Sequence, residues 1–308
     1  MADTPQSSDA LTRFVFDAAP VRGALVTLDR TTRGILACHS YPPALLRALA
    51  ELCAASPLIA STLKLDGGLI VQLASAGPVR LAVVECTDAL DLRATAQWND
   101  TATAALPADA TLAALAGGPE QGRLTITLDP RGGGSLYQGI VALEATTIAR
   151  LIEHYLMTSE QLRSRVVLST RDGVAAGLLV QRLPGSSAAD DATWTRVETL
   201  IDALVRPEAL LAPASHTDVL ASIFPEDDLR VFEPRPARFR CSCSSERVRN
   251  ALRIAGRAEI EAAITERGDV EVICEFCNRR YTFAPDEARA VFVPQSDAAH
   301  RASATTRH

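Results

Sequence analysis

FRCSCSSERVRN (residues 239–250) and DVEVICEFCNRRYTF (residues 269–283) decide how the end of this chain folds. Cys241-x-Cys243 and Cys274-x-x-Cys277 place four thiols on two short segments separated by 30 residues. Four thiolates close a tetrahedral shell around Zn²⁺, a d¹⁰ ion that favours sulfur. The two-residue gap of Cys274-Glu275-Phe276-Cys277 turns the chain tightly enough for both sulfurs to face one ion. The one-residue gap of Cys241-Ser242-Cys243 is less usual, but on a regular strand its two thiols share a face. An iron–sulfur centre, a permanent disulfide pair and buried thiols are the competing readings of these cysteines.

The intervening residues are foldable. SERVRNALRIAG predicts a Ser-capped helix ended by Gly256, and AEIEAAITERG a second ended by Gly268. DVEVICEFCNRRYTF predicts a hairpin whose turn is the Cys274–Cys277 knuckle, and Pro285 starts a short helix. A unit of roughly sixty residues has few apolar groups to hold it, so a bound metal becomes a stability term. Arg240, Arg247, Arg279 and Arg280 are candidates to hydrogen-bond or screen the sulfurs.

The chain has 308 residues, of which 47% are hydrophobic, and the length suggests two folded units. Its formal charge of -6, from 31 basic and 37 acidic side chains, draws the molecule as a whole neither to nucleic acid nor to anionic lipid. The start, MADTPQSSDALTRF, has no basic segment followed by an apolar one, and no run of 18 apolar residues occurs. The expectation is a cytoplasmic protein with no membrane partner. Seven cysteines, an odd number in an apolar-rich chain, suit a reducing compartment better than a disulfide scaffold.

The rest of the chain reads as mixed α and β. Residues 12–29 form an extended, alternating segment. From Pro42 the spacing of Leu45, Leu46, Leu49 and Leu52 predicts a helix, kinked or divided at Pro57. Strands follow at 69–74, 79–85, 123–129 and over LYQGIVAL, then a helix over 146–162 capped by Thr146 or Thr147, then strands at 165–169 and 177–183. PGSSAADDATW (184–194) reads as a loop, and helices over 194–205 and 218–224 lead to FEPRPARF (232–239), where two prolines mark a boundary. The fold class is α+β: a core domain (1–184), a helical linker (185–233), a small four-cysteine domain (234–293) and a flexible tail (294–308).

Other residues that invite a chemical role have plainer readings. Cys38-His39 are consecutive and rarely face one another; Cys53 fills a helical core and Cys86 ends a strand. His154, Glu153 and His216 are assigned to the polar surface. RGGGS (131–135) lacks the phosphate-loop pattern and reads as a hairpin turn, as does DGG (66–68). No paired carboxylates or nucleophile elbow support an enzyme.

The cysteine pattern, together with FVFDAAPVRGALVTLD, GPVRLAVVE, RLTITLDP before YQGIVAL, SEQL and EDDLRVFEPRPARFRCSCS, resembles the redox-regulated thirty-three-kilodalton heat-shock protein family, bacterial holdase chaperones. The likeness covers about residues 10–293. It implies one Zn²⁺ held by Cys241, Cys243, Cys274 and Cys277 in a reduced monomer of little activity. It further implies that hypochlorite, or peroxide with unfolding stress, converts these cysteines to Cys241–Cys243 and Cys274–Cys277 disulfides. Zinc then leaves, the four-cysteine domain and a metastable linker unfold, and the protein dimerises. It binds unfolding client proteins without ATP and later hands them to ATP-dependent chaperones. Val197, Leu200, Ile201, Leu204, Val219, Leu220, Ile223 and Phe224 are the linker residues expected to pack at rest and become exposed. The alternative is a zinc-ribbon adaptor or nucleic-acid-associated protein whose metal only holds shape.

Overall fold

Period-two alternation builds a sheet with two apolar faces. In a computed structural model, which describes residues 9–293 except 64–65, 119–120, 133, 185–187, 205–206 and 213, the extended segment near the start is a hairpin. Strands β1 (Ala10–Phe16) and β2 (Val21–Leu28) pair antiparallel about the turn at Asp17–Pro20. Leu11, Ala24, Val26 and Leu28 point into one core, and Phe14, Phe16, Val21 and Leu25 into another. Asp9, buried beside β1, accepts hydrogen bonds from the backbone N–H groups of Asp29, Arg30 and Thr31 and so ties down the start of helix α1 (Arg30–Leu36).

Helix α2 (Pro43–Thr62) runs unbroken through Pro57, against the expected kink or division. It packs against both sheets with Leu45, Leu49, Leu52, Cys53, Leu58 and Ile59 all at most 1% exposed, and this burial outweighs the roughly 3 kcal/mol local cost of an interior proline. It is the one described helix long and apolar enough to cross a membrane, and 78% of that window is buried inside the protein.

The chain continues through β3 (Gly67–Ser75), β4 (Val79–Thr87), β5 (Asp91–Trp98), α3 (Asp100–Ala104), α4 (Leu112–Ala116), β6 (Gly122–Pro130), β7 (Tyr137–Ala142), α5 (Ile148–Thr158), β8 (Ser164–Arg171) and β9 (Val174–Arg182). Thr147 caps α5 by accepting from Arg150 N–H, and a positive φ of 56° at Gln161 turns the chain where a helix to 162 was expected. The first sheet has the order β10-β1-β2-β9-β8 and the second β12-β5-β4-β3-β6-β7, where β10 (Leu229–Val231), β11 (Arg235–Pro236) and β12 (Arg238–Phe239) come from further along the chain.

After β9 come α6 (Ala188–Asp202), a 3₁₀ turn (Pro207–Leu211) and α7 (His216–Ile223). Trp194, Val197, Ile201, Leu210, Val219, Leu220, Ile223 and Phe224 bury themselves on the outer face of the first sheet, while Leu200 and Leu204 are partly buried. The Phe224 ring lies 6.0 Å from Phe14 and 5.2 Å from Phe16, centroid to centroid. Strands β10 (Leu229–Val231), β11 (Arg235–Pro236) and β12 (Arg238–Phe239) then form a strap: β10 and β11 pair with β1, and β12 pairs parallel with β5. The chain divides into units at Arg240/Cys241, so residues 234–240, expected in the four-cysteine domain, belong to the larger unit. The prolines permit this because edge pairing leaves their missing N–H groups unneeded, while Ala237, Arg238 and Arg240 donate to Asp9, Leu90 and Leu92 carbonyls.

The smaller unit holds α8 (Ser245–Ala255), α9 (Arg257–Arg267), β13 (Val270–Ile273), β14 (Arg280–Phe283) and α10 (Pro285–Ala290). Ser244 caps α8, and Gly256 and Gly268, both at positive φ, end α8 and α9. Its core is Val248, Leu252, Ile260, Val270, Phe283, Ala288 and Val291. The tail assigned to 294–308 lies outside the described residues.

His216 is not on the surface. It opens α7 and is half-buried against the sheet, its Nδ1 2.7 Å from Thr12 Oγ1 and its Nε2 3.0 Å from Thr27 Oγ1. Burial holds its pKa below the usual 6.5. A freed α7 therefore binds a proton more readily than a docked one, so docking is favoured above pH 6.5 and is weakened as pH falls through that value. In a Trp98→Phe background, Trp194 emission should shift to the red between pH 7.5 and 5.5, and His216→Ala should remove that dependence while weakening docking by about 1–3 kcal/mol.

Candidate metal centre

Hairpin geometry positions one pair of sulfurs. Strands β13 and β14 pair from Val270↔Phe283 to Ile273↔Arg280, and Cys274–Arg279 turn between them. Asn278 N–H donates to Cys274 O at 2.8 Å and Cys274 N–H to Arg279 O at 2.9 Å. Asn278 takes the left-handed conformation, φ 56°, which asparagine tolerates better than most residues.

The other pair comes from the extended segment that leads into α8. Cys241 and Cys243 flank Ser242, whose hydroxyl accepts from Arg247 Nη1 at 2.7 Å, while Ser244 Oγ accepts from Arg247 N–H at 3.2 Å. One arginine on the first turn of α8 thus ties the segment to the helix.

All four Sγ atoms lie within 4.8 Å of one another. Cys241 and Cys274 are 3.7 Å apart, Cys243 and Cys277 3.4 Å. Zn–S bonds of about 2.3 Å in a tetrahedron set sulfurs about 3.8 Å apart, so the four side chains are spaced to hold such an ion. They are half-buried, and no disulfide joins any of the seven cysteines.

The sequence did not single out Tyr281. On β14, its hydroxyl donates to Cys243 Sγ at 3.1 Å. Burial pushes the Cys243 thiol up, but hydrogen bonds from Tyr281 and from the other cysteines outweigh it and bring the group down to about 7. Burial, together with its cysteine neighbours, leaves Cys277 well above the ordinary thiol range. The Tyr281 hydrogen bond therefore favours the thiolate form of Cys243. Of the four arginines expected around the sulfurs, Arg240 pairs with Asp91 and Arg280 with Glu271, at 3.2 and 2.9 Å, and Arg247 binds Ser242. Arg279 hydrogen-bonds Tyr281 and feels the charge of Cys243 and Cys277, so its contribution is screening. The sequence carries a faint signal for Tyr281, an aromatic hydroxyl four residues past Cys277 on a strand leaving the turn.

The remaining cysteines stand apart. Cys53 and Cys86 are fully buried; burial lifts the Cys53 thiol to about 12 and Cys86 higher still, so both are inert as nucleophiles near neutral pH. Cys38 donates to Gly34 O at 3.3 Å. Glu153, assigned to the surface, instead accepts from Val166 N–H at 2.8 Å and pairs with Arg150 and Arg165. RGGGS connects β6 to β7, with Gly133 outside the described residues.

A family model described as Hsp33 protein matches residues 9–284. The chain is 42% identical to the 33 kDa chaperonin of Chromobacterium violaceum, covering 92% of this chain and 94% of that one. It is 40% identical to the 33 kDa chaperonin of Methylobacillus flagellatus, covering 96% and 100%. Among solved structures, the 33 kDa chaperonin of Thermotoga maritima superposes with a TM-score of 0.78 over 92% of this chain and 98% of that one, at 24% identity, which speaks to the fold.

Removing the hydroxyl that Cys243 accepts from should loosen the site. Tyr281→Phe is expected to lower metal affinity about 10–100-fold, measured by competition with a chromogenic chelator on the reduced protein; unchanged affinity would show that this hydrogen bond does not tune the sulfurs.

Proposed function

The chain belongs to the Hsp33 family of chaperones, and from that premise we propose that it is an ATP-independent holdase of the cytoplasm, switched on by oxidation of a four-cysteine zinc centre. The observation that carries the proposal is the quartet of sulfurs within 4.8 Å, set in a unit whose core is seven side chains. Cys241, Cys243, Cys274 and Cys277 are the ligands. Zn²⁺, when bound, holds the sulfurs as thiolates and adds folding energy, about 10–16 kcal/mol in finger peptides.

Thiolates are the form that hypochlorous acid attacks. Two thiolates, one hypochlorous acid molecule and one proton give a disulfide, a chloride ion and water. The sulfur pair loses two electrons and the chlorine gains them. Done twice, for Cys241 with Cys243 and Cys274 with Cys277, the reaction removes all four metal donors. Neither pair is bonded in the resting fold, and each must close to about 2.05 Å, so the segments must rearrange as they oxidise.

The strap is the covalent route from Cys241 to α7. Its last paired piece, β12, has two residues and is held by Arg238 and Arg240 on Asp91. Exposed ion pairs of this kind are worth about 0–1 kcal/mol each. Loosening there passes to β11, β10 and then α7. Release of α6 and α7 exposes Trp194, Val197, Ile201, Leu220 and Phe224, together with the sheet face they cover. That apolar surface is what an unfolding client would meet. Trp194 Nε1 is buried without a hydrogen-bond partner, which costs about 1–3 kcal/mol and makes the packed linker easier to lift. Dimerisation of the oxidised form and hand-over of clients to ATP-dependent chaperones complete the proposed cycle. The edge strand β7, with Tyr137 and Ile140 exposed and Leu136 exposed just before it, offers backbone groups for association.

Hypochlorite treatment separates this reading from a zinc-ribbon adaptor with a static metal. The expected result is release of about one zinc per chain and newly acquired suppression of aggregation of a thermally unfolding substrate, without nucleotide. Retained zinc and no gain in suppression would favour the adaptor.

A further inference from the structure

Helix α2 covers the inner face of the first sheet but stops at Thr62, before that face ends. Beyond the helix lies a recess of about 370 Å³, whose polar lining includes Arg13, Arg22, Ser61, Thr62 and Gln181. The strand register explains why two arginines meet there. Arg13 is opposite Ala24 and Arg22 opposite Val15, so the arginines are diagonal neighbours on one face, at a spacing of about 7–8 Å between such positions. Arg22 donates from Nε to Gln181 Oε1 at 3.1 Å and from Nη2 to Thr62 O at 3.3 Å, both uncharged acceptors. Arg13 lies over the Phe232 ring, 5.7 Å from its centroid.

Among the described residues no carboxylate pairs with either guanidinium, and none lines the recess. Arg33, Arg93, Arg131, Arg196 and Arg230 all have carboxylate partners, whereas the half-buried Arg22 has only uncharged ones. Burial lowers the Arg22 pKa, and the charge of Arg13 lowers it further, so the pair repels itself in a partly dry place. An oxyanion would relieve both costs. The Nη1 donors of Arg22 and the guanidinium of Arg13 can receive its oxygens in charge-assisted hydrogen bonds. The remaining lining, Phe14, Val15, Ala24, Leu179 and Phe232, is apolar and suits a carbon body rather than a bare ion.

We propose that the recess bounded by Arg13, Arg22 and the end of α2 binds a small organic oxyanion, a carboxylate or phosphate ester carried on an apolar group. The site belongs to the larger unit and is separate from the cysteine quartet.

Calorimetric titration of the reduced, zinc-loaded full chain with phenyl phosphate and benzoate tests this, with benzyl alcohol and inorganic phosphate as controls. At least one aromatic anion should bind saturably and weaken with added salt, and whichever binds more tightly identifies the headgroup. Benzyl alcohol should not bind, and inorganic phosphate should bind at least about tenfold more weakly. Arg13→Gln, at an exposed position, should cost about tenfold or more in affinity with an unchanged circular dichroism spectrum, and Arg13→Gln with Arg22→Gln should abolish binding. The proposal is overturned if neither aromatic anion binds, if benzyl alcohol binds as well as they do, or if folded Arg13→Gln binds them undiminished.

Discussion

A sheet that is apolar on both faces must be covered twice, and the unequal quality of the two covers governs this molecule. The inner face of β1, β2 and β9 meets α2, one continuous helix whose Leu45, Leu49, Leu52, Cys53 and Ile59 have no exposed surface. The outer face, with Phe14, Phe16, Leu25 and Leu178, meets two shorter helices and a 3₁₀ turn. Much of the polar attachment of that cover is charge on its rim: Arg163 to Glu198, Arg165 to Asp202 and Arg182 to Asp191. Such pairs contribute little in water, and Trp194 Nε1 is buried without a partner. The outer cover thus hides an apolar sheet face, and in the proposed cycle it is the cover that lifts.

Its stability then depends on what lies at its ends. On one side is His216, neutral and fixed between two threonine hydroxyls. On the other is the strap, short strands added to edges of both sheets and leading directly to Cys241. A small unit with a seven-residue core sits where metal loss would be felt first. In the proposed cycle, this arrangement would turn a chemical event at four sulfurs into a mechanical one at the linker.

Much of this was legible in the residues. Cysteine spacing set the hairpin knuckle, Gly256 and Gly268 marked helix ends, and the apolar positions from Val197 to Phe224 are those that pack on the sheet. What escaped depends on tertiary context. Strand β5, DLRATAQW, alternates properly, but its buried positions include Ala94 and Ala96, too small to announce a strand. Pro57 signals a break that burial overrules. His216 looks polar until two threonines fifteen residues apart on neighbouring strands meet it, and Tyr281 touches Cys243 only because β14 folds back. The strap misled because Pro234 and Pro236 read as a boundary, whereas sheet edges accept proline.

Hydrogen exchange of the reduced protein, with zinc bound and after chelation, tests the coupling most directly. Amides of Ala188–Asp202 and His216–Ile223 should lose protection by about tenfold or more on metal removal, while β3, β4 and β6 keep theirs. Equal protection of both linker helices in the two forms, with metal loss verified in the same sample, would contradict the account.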